Sequence, residues 1–217
     1  MFAGHFGVGF AAKRFAPRVG LGMLFLAAQF IDLLWPTFLV LGWERVAISP
    51  GATAVTPLDF QHYPISHSLL AAAGWGALLG GAYFGLTRER RGAVIVAALV
   101  VSHWLLDALM PRPDLPLTPF GETRVGLGLW NSLPATLLVE MPIFIAGCWL
   151  YARATRARDA VGRWGFAGLV AFLLVIQAAN LAGDPPPSVA MIAWAGHAQW
   201  LIVLWAFWVD RHRQAAL

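Results

Sequence analysis

The chain has 217 residues, of which 59% are hydrophobic and only 12% charged, and its mean hydropathy is +0.67. That balance excludes an ordinary soluble domain and identifies an integral membrane protein. The net charge of +4 comes from basic residues between the apolar stretches, with no basic stripe interleaved with aromatics, so a nucleic-acid partner is not expected.

In residues 1–17 the positive residues Lys13 and Arg14, followed by Arg18, come after the apolar part instead of before it, which argues against a cleaved signal peptide. The segment is too short to span a bilayer and reads as a half-helix buried among others, carrying His5. Val19–Trp43 is the first span, with Asp32 in its outer half and Pro36 expected to kink it. Residues 44–66 form a connection longer than a loop needs, which points to a functional segment. It runs into His62-Tyr-Pro-Ile-Ser-His67-Ser68, where Pro64 holds Tyr63 extended and Ser66 is a candidate N-cap for the second span, Ser68–Leu86.

The third span, Gly92–Met110, carries His103 and Asp107. Residues 111–128, rich in proline, read as a stiff flap whose Arg112 and Arg124 are candidates to bind an anionic substrate. Leu129–Ala152 is the fourth span, with Glu140 at its middle. Trp164–Gly183 and Ser188–Val209 are the fifth and sixth, joined by Asp184-Pro-Pro-Pro187. The expected fold is therefore all-α: one polytopic membrane domain over residues 1–217, with about six transmembrane helices and a short N-terminal half-helix. Cys148, alone in an apolar run, reads as a packing residue. The basic residues at 13–18, 88–91, 153–163 and 211–213 fall on one side of this topology, which should be cytoplasmic and hold both termini.

An ionisable group in hydrocarbon is expensive and calls for a partner. His103 and Asp107 are four residues apart, so on a helix they share a face and can reach one cation. The same spacing also suits a plain His–Asp hydrogen bond between turns. Counting 1.5 Å per residue from the basic anchors puts Asp32, His103, Asp107 and Glu140 about 17–22 Å up, and His5 about 12 Å up, beneath the loop bearing His62 and His67. Imidazoles with carboxylates and no thiolates suit zinc or a similar divalent metal. Asp32 and Asp107 together would allow two ions that clamp a phosphoryl oxygen and ionise a water. Two rival readings use the same groups or others: an ion- or proton-translocating protein, and a pigment or haem site at His197 in Gly196-His197-Ala-Gln-Trp200.

Taken together, His5, the Ile31-Asp32 pair, His62-Tyr-Pro-Ile-Ser-His67-Ser68, His103-Trp-Leu-Leu-Asp107 and the following Pro111 and Pro-Leu-Thr-Pro119 resemble the membrane-bound metal-dependent hydrolases of the YdjM type. That family is also described as LexA-binding inner-membrane hydrolases and is distantly similar to zinc-dependent phospholipase C. The resemblance covers about the first 120 residues. It implies a bacterial-type inner membrane location and a site toward the non-cytoplasmic side. It also implies that His5, Asp32, His67, His103 and Asp107 bind one or two divalent ions, zinc first among the candidates. Asp32 would bridge ions or act as base, and His62 would be a ligand or a phosphate-facing acid. The implied activity is hydrolysis of a phosphoester, on a small molecule, a membrane lipid or a lipid-linked substrate, by a metal-bound hydroxide. Phe30 and Tyr63 stand where the family pattern carries Asp and Arg, so a second ion would need Glu140 as a substitute ligand or catalytic group.

Overall fold

Nine α-helices carry most of the chain in the computed structural model, which describes residues 1–216. In chain order they begin with α1 (Ala3–Phe15), α2 (Leu21–Ala28) and α3 (Phe30–Val40). The hairpin strands β1 (Arg45–Ile48) and β2 (Leu58–His62) and the single turn α4 (Pro64–His67) lead into α5 (Leu69–Thr87) and α6 (Arg90–Asp107). The short strands β3 (Leu115–Pro116) and β4 (Arg124–Val125) precede α7 (Leu133–Ala154). Finally β5 (Thr155–Ala157), α8 (Ala160–Ala182), α9 (Val189–Arg211) and β6 (Arg213–Ala215) complete the chain.

The long helices start where a side chain can take their orphan N–H groups. Ser68, Glu89, Ser132, Asp159 and Ser188 each accept from a backbone N–H of the first turn that follows. The cap of α5 is thus Ser68 and not Ser66, which lies inside α4. α5, α7, α8 and α9 are long and apolar enough to cross a membrane, and α2 with α3 makes a fifth candidate if that bent pair is one span. Six spans are not reached, because α6 holds Arg90, Arg91 and Asp107 within its 18 residues. Leu78, Ile145, Trp149, Val175, Leu201 and Leu204 stand exposed on the long helices, as a lipid-facing surface requires.

Pro36, the expected kink, lies inside α3 without ending it. The bend, 54° between α2 and α3, falls instead at Gln29, whose backbone leaves the helical region. The long connection before α4 is not irregular but a two-stranded antiparallel hairpin, with Val46 opposite Phe60 and Ile48 opposite Leu58. Its inner residues pack on Trp35, Tyr63, Trp104 and Leu115. β3 with β4, and β5 with β6, form two more antiparallel ribbons, so the fold is mostly helical with three short ribbons at the helix ends.

Small residues bring the backbones close. Gly76 and Gly80 of α5 face the Ala93 and Ala97 backbone of α6, where an added Cβ would stand 2.8 Å from the Ala97 carbonyl and 2.7 Å from that of Ala93. Gly7 of α1 and Gly147 of α7 cross so tightly that a Cβ on Gly147 would overlap the Gly7 carbonyl. This crossing seats the half-helix α1 in the interior, with Phe6 and Phe10 packed on Phe25, Phe144 and Tyr151.

Candidate metal centre

Four elements that are far apart in sequence deliver the polar cluster. His103 and Asp107 project from α6 one turn apart, and both are buried. Asp32 sits in the first turn of α3, just past the bend at Gln29. His67 closes α4, and His5 lies in the first turn of α1. Two groups of three converge among the described residues: His5, His103 and Asp107, and Asp32, His67 and His103. All five residues that the sequence pattern singled out as ligands therefore meet.

His103 Nε2 stands 3.3 Å from Asp107 Oδ2 and 3.6 Å from Asp32 Oδ2. His67 Nε2 stands 3.2 Å from Asp32 Oδ1 and 3.8 Å from Asp107 Oδ2. Ligand atoms about 2.0–2.1 Å from a tetrahedral zinc are about 3.3 Å apart, so these separations are those of a coordination polyhedron's edges. His5 Nε2 lies on the other oxygen of the same carboxylate, 3.0 Å from Asp107 Oδ1, and the Met1 α-amino group is 2.7 Å from that atom. Asp107 thus faces one set of nitrogens with each oxygen, His5 and the Met1 amino group on Oδ1 and His103 and His67 on Oδ2.

The second nitrogens of the rings decide what the first can do. His103 Nδ1 donates to the Ala28 carbonyl at 2.7 Å, an acceptor left free by the end of α2. On a neutral ring that bond leaves a lone pair on Nε2, and this buried atom has no hydrogen-bond partner. The His5 and His103 rings stack at 3.5 Å and 7°. Two parallel imidazolium rings at that distance would repel, so at least one ring is neutral. On a neutral ring that lone pair would face two carboxylates, a contact relieved by a cation among them as it is by a proton on Nε2. The donor set, two imidazole nitrogens and two carboxylates with a third imidazole behind, fits a divalent ion of the zinc or manganese kind.

Glu140 lines the same cavity but holds no ligand position. Its Oε1 accepts from the backbone N–H groups of Phe2 at 2.6 Å and Gly4 at 3.2 Å, and its Oε2 from Gln177 Nε2 at 3.1 Å. Gln177 in turn accepts from the Ala3 N–H at 3.3 Å. Glu140 and Gln177 together cap the buried start of α1, and Glu140 is in neither group of converging ligand atoms. Sequence reasoning missed Gln177; a polar amide mid-span was the available signal.

His62 belongs to β2 opposite Arg45 and does not line the cavity, although its neighbour Tyr63 does. Arg112 and Arg124 also stay outside the lining. Arg112 pairs with Asp59 and Asp114, and Arg124 reaches the carbonyls of Gln61 and Asp114 at 3.4 Å. Tyr63 donates to Asp114 at 2.9 Å. Burial and the charge of Asp114 hold the Tyr63 phenol far above its usual range, so it stays a neutral donor. These residues bind the hairpin to the proline-rich flap, which is a structural use of the two arginines. His197 bonds Thr37 Oγ1 at 3.1 Å and the Ala193 carbonyl at 2.8 Å, and with both ring nitrogens engaged it has none free for a haem or pigment.

A cavity of about 540 Å³ opens above the cluster. Asp32, His67, Asp107, Glu140 and Gln177 contribute to its polar part. Trp35, Phe60, Leu115 and Trp130 line one side, and Leu181, Met191, Ile192 and Ala195, from the ends of α8 and α9, line another. No lysine or arginine is among the lining residues.

A family model described as YdjM inner membrane protein matches residues 2–182. The matched stretch contains all five cluster residues, and it reaches through α7 to the last residue of α8, well past the first 120 residues that carry the sequence motifs. No curated protein and no solved structure matches the chain significantly.

Proposed function

The chain belongs to the YdjM inner membrane protein family, and on that premise we propose that it is a membrane-embedded, metal-dependent hydrolase acting on a phosphoester of a lipid or lipid-linked substrate. The observation that carries this reading is the His103 Nε2 atom, buried, without a hydrogen-bond partner and 3.3 and 3.6 Å from Asp107 and Asp32 at the polar end of an otherwise apolar cavity. His67, His103, Asp32 and Asp107 would hold the ion, with His5 on the far oxygen of Asp107. A divalent ion supplies a Lewis acid for a phosphoryl oxygen and ionises water near neutral pH.

The chain's own residues do the rest. Asp32 is the more exposed of the two carboxylates, with 23% of its side chain accessible, and is the group placed to take a proton from an attacking water. No arginine or lysine lines the cavity and the Met1 α-amino group there is paired with Asp107, so a substrate's negative charge would be met by the ion. Trp35, Phe60, Leu115 and Trp130 exclude water and offer an apolar wall to an acyl or isoprenoid chain. Along α1 the cluster is followed by Phe6 and Phe10, packed with Phe25, Phe144 and Tyr151, so an apolar plug underlies it. That plug favours a closed reaction chamber over the proton or ion pathway that the same groups could otherwise form.

The test is metal analysis of the purified protein beside phosphorus NMR of mixed phospholipids and isoprenoid phosphates incubated with it. We expect bound zinc, manganese or iron and release of a phosphate-containing product, abolished in Asp32→Asn. Absence of all three metals before and after reconstitution would overturn the reading.

A further inference from the structure

Glu44 is 1% exposed, although it stands at the head of a polar loop where a carboxylate would ordinarily reach water. Its Oε1 accepts from the backbone N–H groups of Ile65 and Ser66, both at 2.8 Å, and its Oε2 is 2.6 Å from Ser66 Oγ. The other neighbour of Ser66 Oγ is His67 Nδ1, at 2.7 Å. A serine hydroxyl has one proton to give. A buried carboxylate, which can only accept, takes that proton, so the Ser66 oxygen must accept from His67 Nδ1–H.

We propose that Glu44 and Ser66 are positioning residues that fix the proton of His67 on Nδ1 and so present Nε2 as a metal donor. Glu44 anchors the start of α4 through the two backbone bonds and sets the direction of the relay through the third. His103 is held in the same tautomer by the Ala28 carbonyl, whereas the Nδ1 atom of His5 is buried without a partner. His67 and His103 are therefore pre-set as donors and His5 is not. The relay also brings a buried negative charge within two hydrogen bonds of the centre, which strengthens the imidazole as a ligand. The consequence for metal binding rests on the metal-centre reading; the direction of the relay rests on the hydrogen bonds alone.

Replacing Glu44 by Gln reverses the relay. The amide oxygen keeps the two backbone N–H groups, so its NH₂ faces Ser66, which then donates to His67 Nδ1 and drives the ring proton onto Nε2, against Asp32. Ser66→Ala only releases the tautomer. The experiment is nitrogen NMR of the histidine rings in metal-free protein, with zinc competition against a chromophoric chelator. Wild type should show Nδ1 of His67 protonated, alone or together with an Nε2–H donated to Asp32 at 3.2 Å, Ser66→Ala a mixture, and Glu44→Gln the Nε2–H form alone. Zinc affinity should fall 10- to 100-fold in Ser66→Ala, as for other residues that orient a ligand, and further in Glu44→Gln. A merely structural role for Glu44 would lower thermal stability without moving the tautomer.

A wild-type His67 with Nδ1 unprotonated overturns the proposal before any variant is made. An unchanged tautomer in a folded Glu44→Gln does so as well. If wild type binds no metal while the tautomers behave as stated, the relay stands and the hydrolase reading falls. If wild type binds zinc and neither variant weakens it, the relay falls and the metal centre stands.

Discussion

Asp107→Asn separates a metal centre from a set of histidines that merely bond two carboxylates. Asn keeps the shape of Asp and one oxygen, which can still accept from His5 at the present 3.0 Å. The charge that pairs with the buried Met1 α-amino group at 2.7 Å is lost, so the metal-free protein should lose about 3–5 kcal/mol. For a chain of this size that is a fall in Tm of about 6–20 °C. The zinc-dependent part of the stability is read separately. Zinc at 100 times its Kd stabilises the wild type by about 2.7 kcal/mol, a rise in Tm of about 5–11 °C. The variant lacks one of the two carboxylates that offset the ion's charge, along with the oxygen that faces His103 and His67. The zinc-dependent rise should vanish while the protein still extracts folded from membranes. The assay is thermal unfolding in detergent with and without zinc, beside metal content, with His197→Ala as a control that retains both. A variant that keeps its full metal content and the whole zinc-dependent rise refutes the reasoning.

Glu140→Ala strands the Phe2 and Gly4 N–H groups and the Gln177 amide in the interior, and should cost about 2–5 kcal/mol, with Glu140→Gln much milder. Thermal unfolding checks this, and a loss below about 1 kcal/mol would show that the cap is dispensable. Gly147→Ala pushes a methyl into the Gly7 backbone and should cost about 1–3 kcal/mol, while lowering metal content by lifting His5 off Asp107. Unaltered metal content and stability in that variant would mean that α1 can yield without loss.

Asp32, His103 and Asp107 were legible because charge in an apolar run is costly enough to mark itself, whereas His5 and His67 entered as ligands through the family resemblance. His103 and Asp107 announced a shared face by spacing alone. Glu140 gave the same signal for another purpose: a buried carboxylate can serve a helix start as well as a cation, and only the position of α1 tells which. Glu44 was invisible because a glutamate at the start of a proline-rich connection looks solvated, and its burial depends on a hairpin formed by two strands of four and five residues. His62 and Arg112 were drawn toward the site by their sequence neighbours, but β2 turns His62 opposite Arg45 and Asp59 and Asp114 claim Arg112. The bend at Gln29 escaped because Pro36 was the stronger local signal. A proline removes one hydrogen bond and can be carried within a helix; the end of α2 is where the Ala28 carbonyl is given to His103.

The trans cap of α1 has a consequence for how the protein is made. Glu140 and Gln177 lie 136 to 174 residues after the N–H groups they serve. During synthesis α1 leaves the ribosome long before α7 and α8 exist, and its bare N-terminus cannot rest in hydrocarbon in the meantime. It has to wait in the interfacial or aqueous layer and slide into its slot after the later helices have been inserted. That order imposes a long loop closure as the closing step of assembly. Because His5 travels on α1, it meets Asp107 only then, and a nascent chain stalled before α8 would carry the other four residues of the cluster without it.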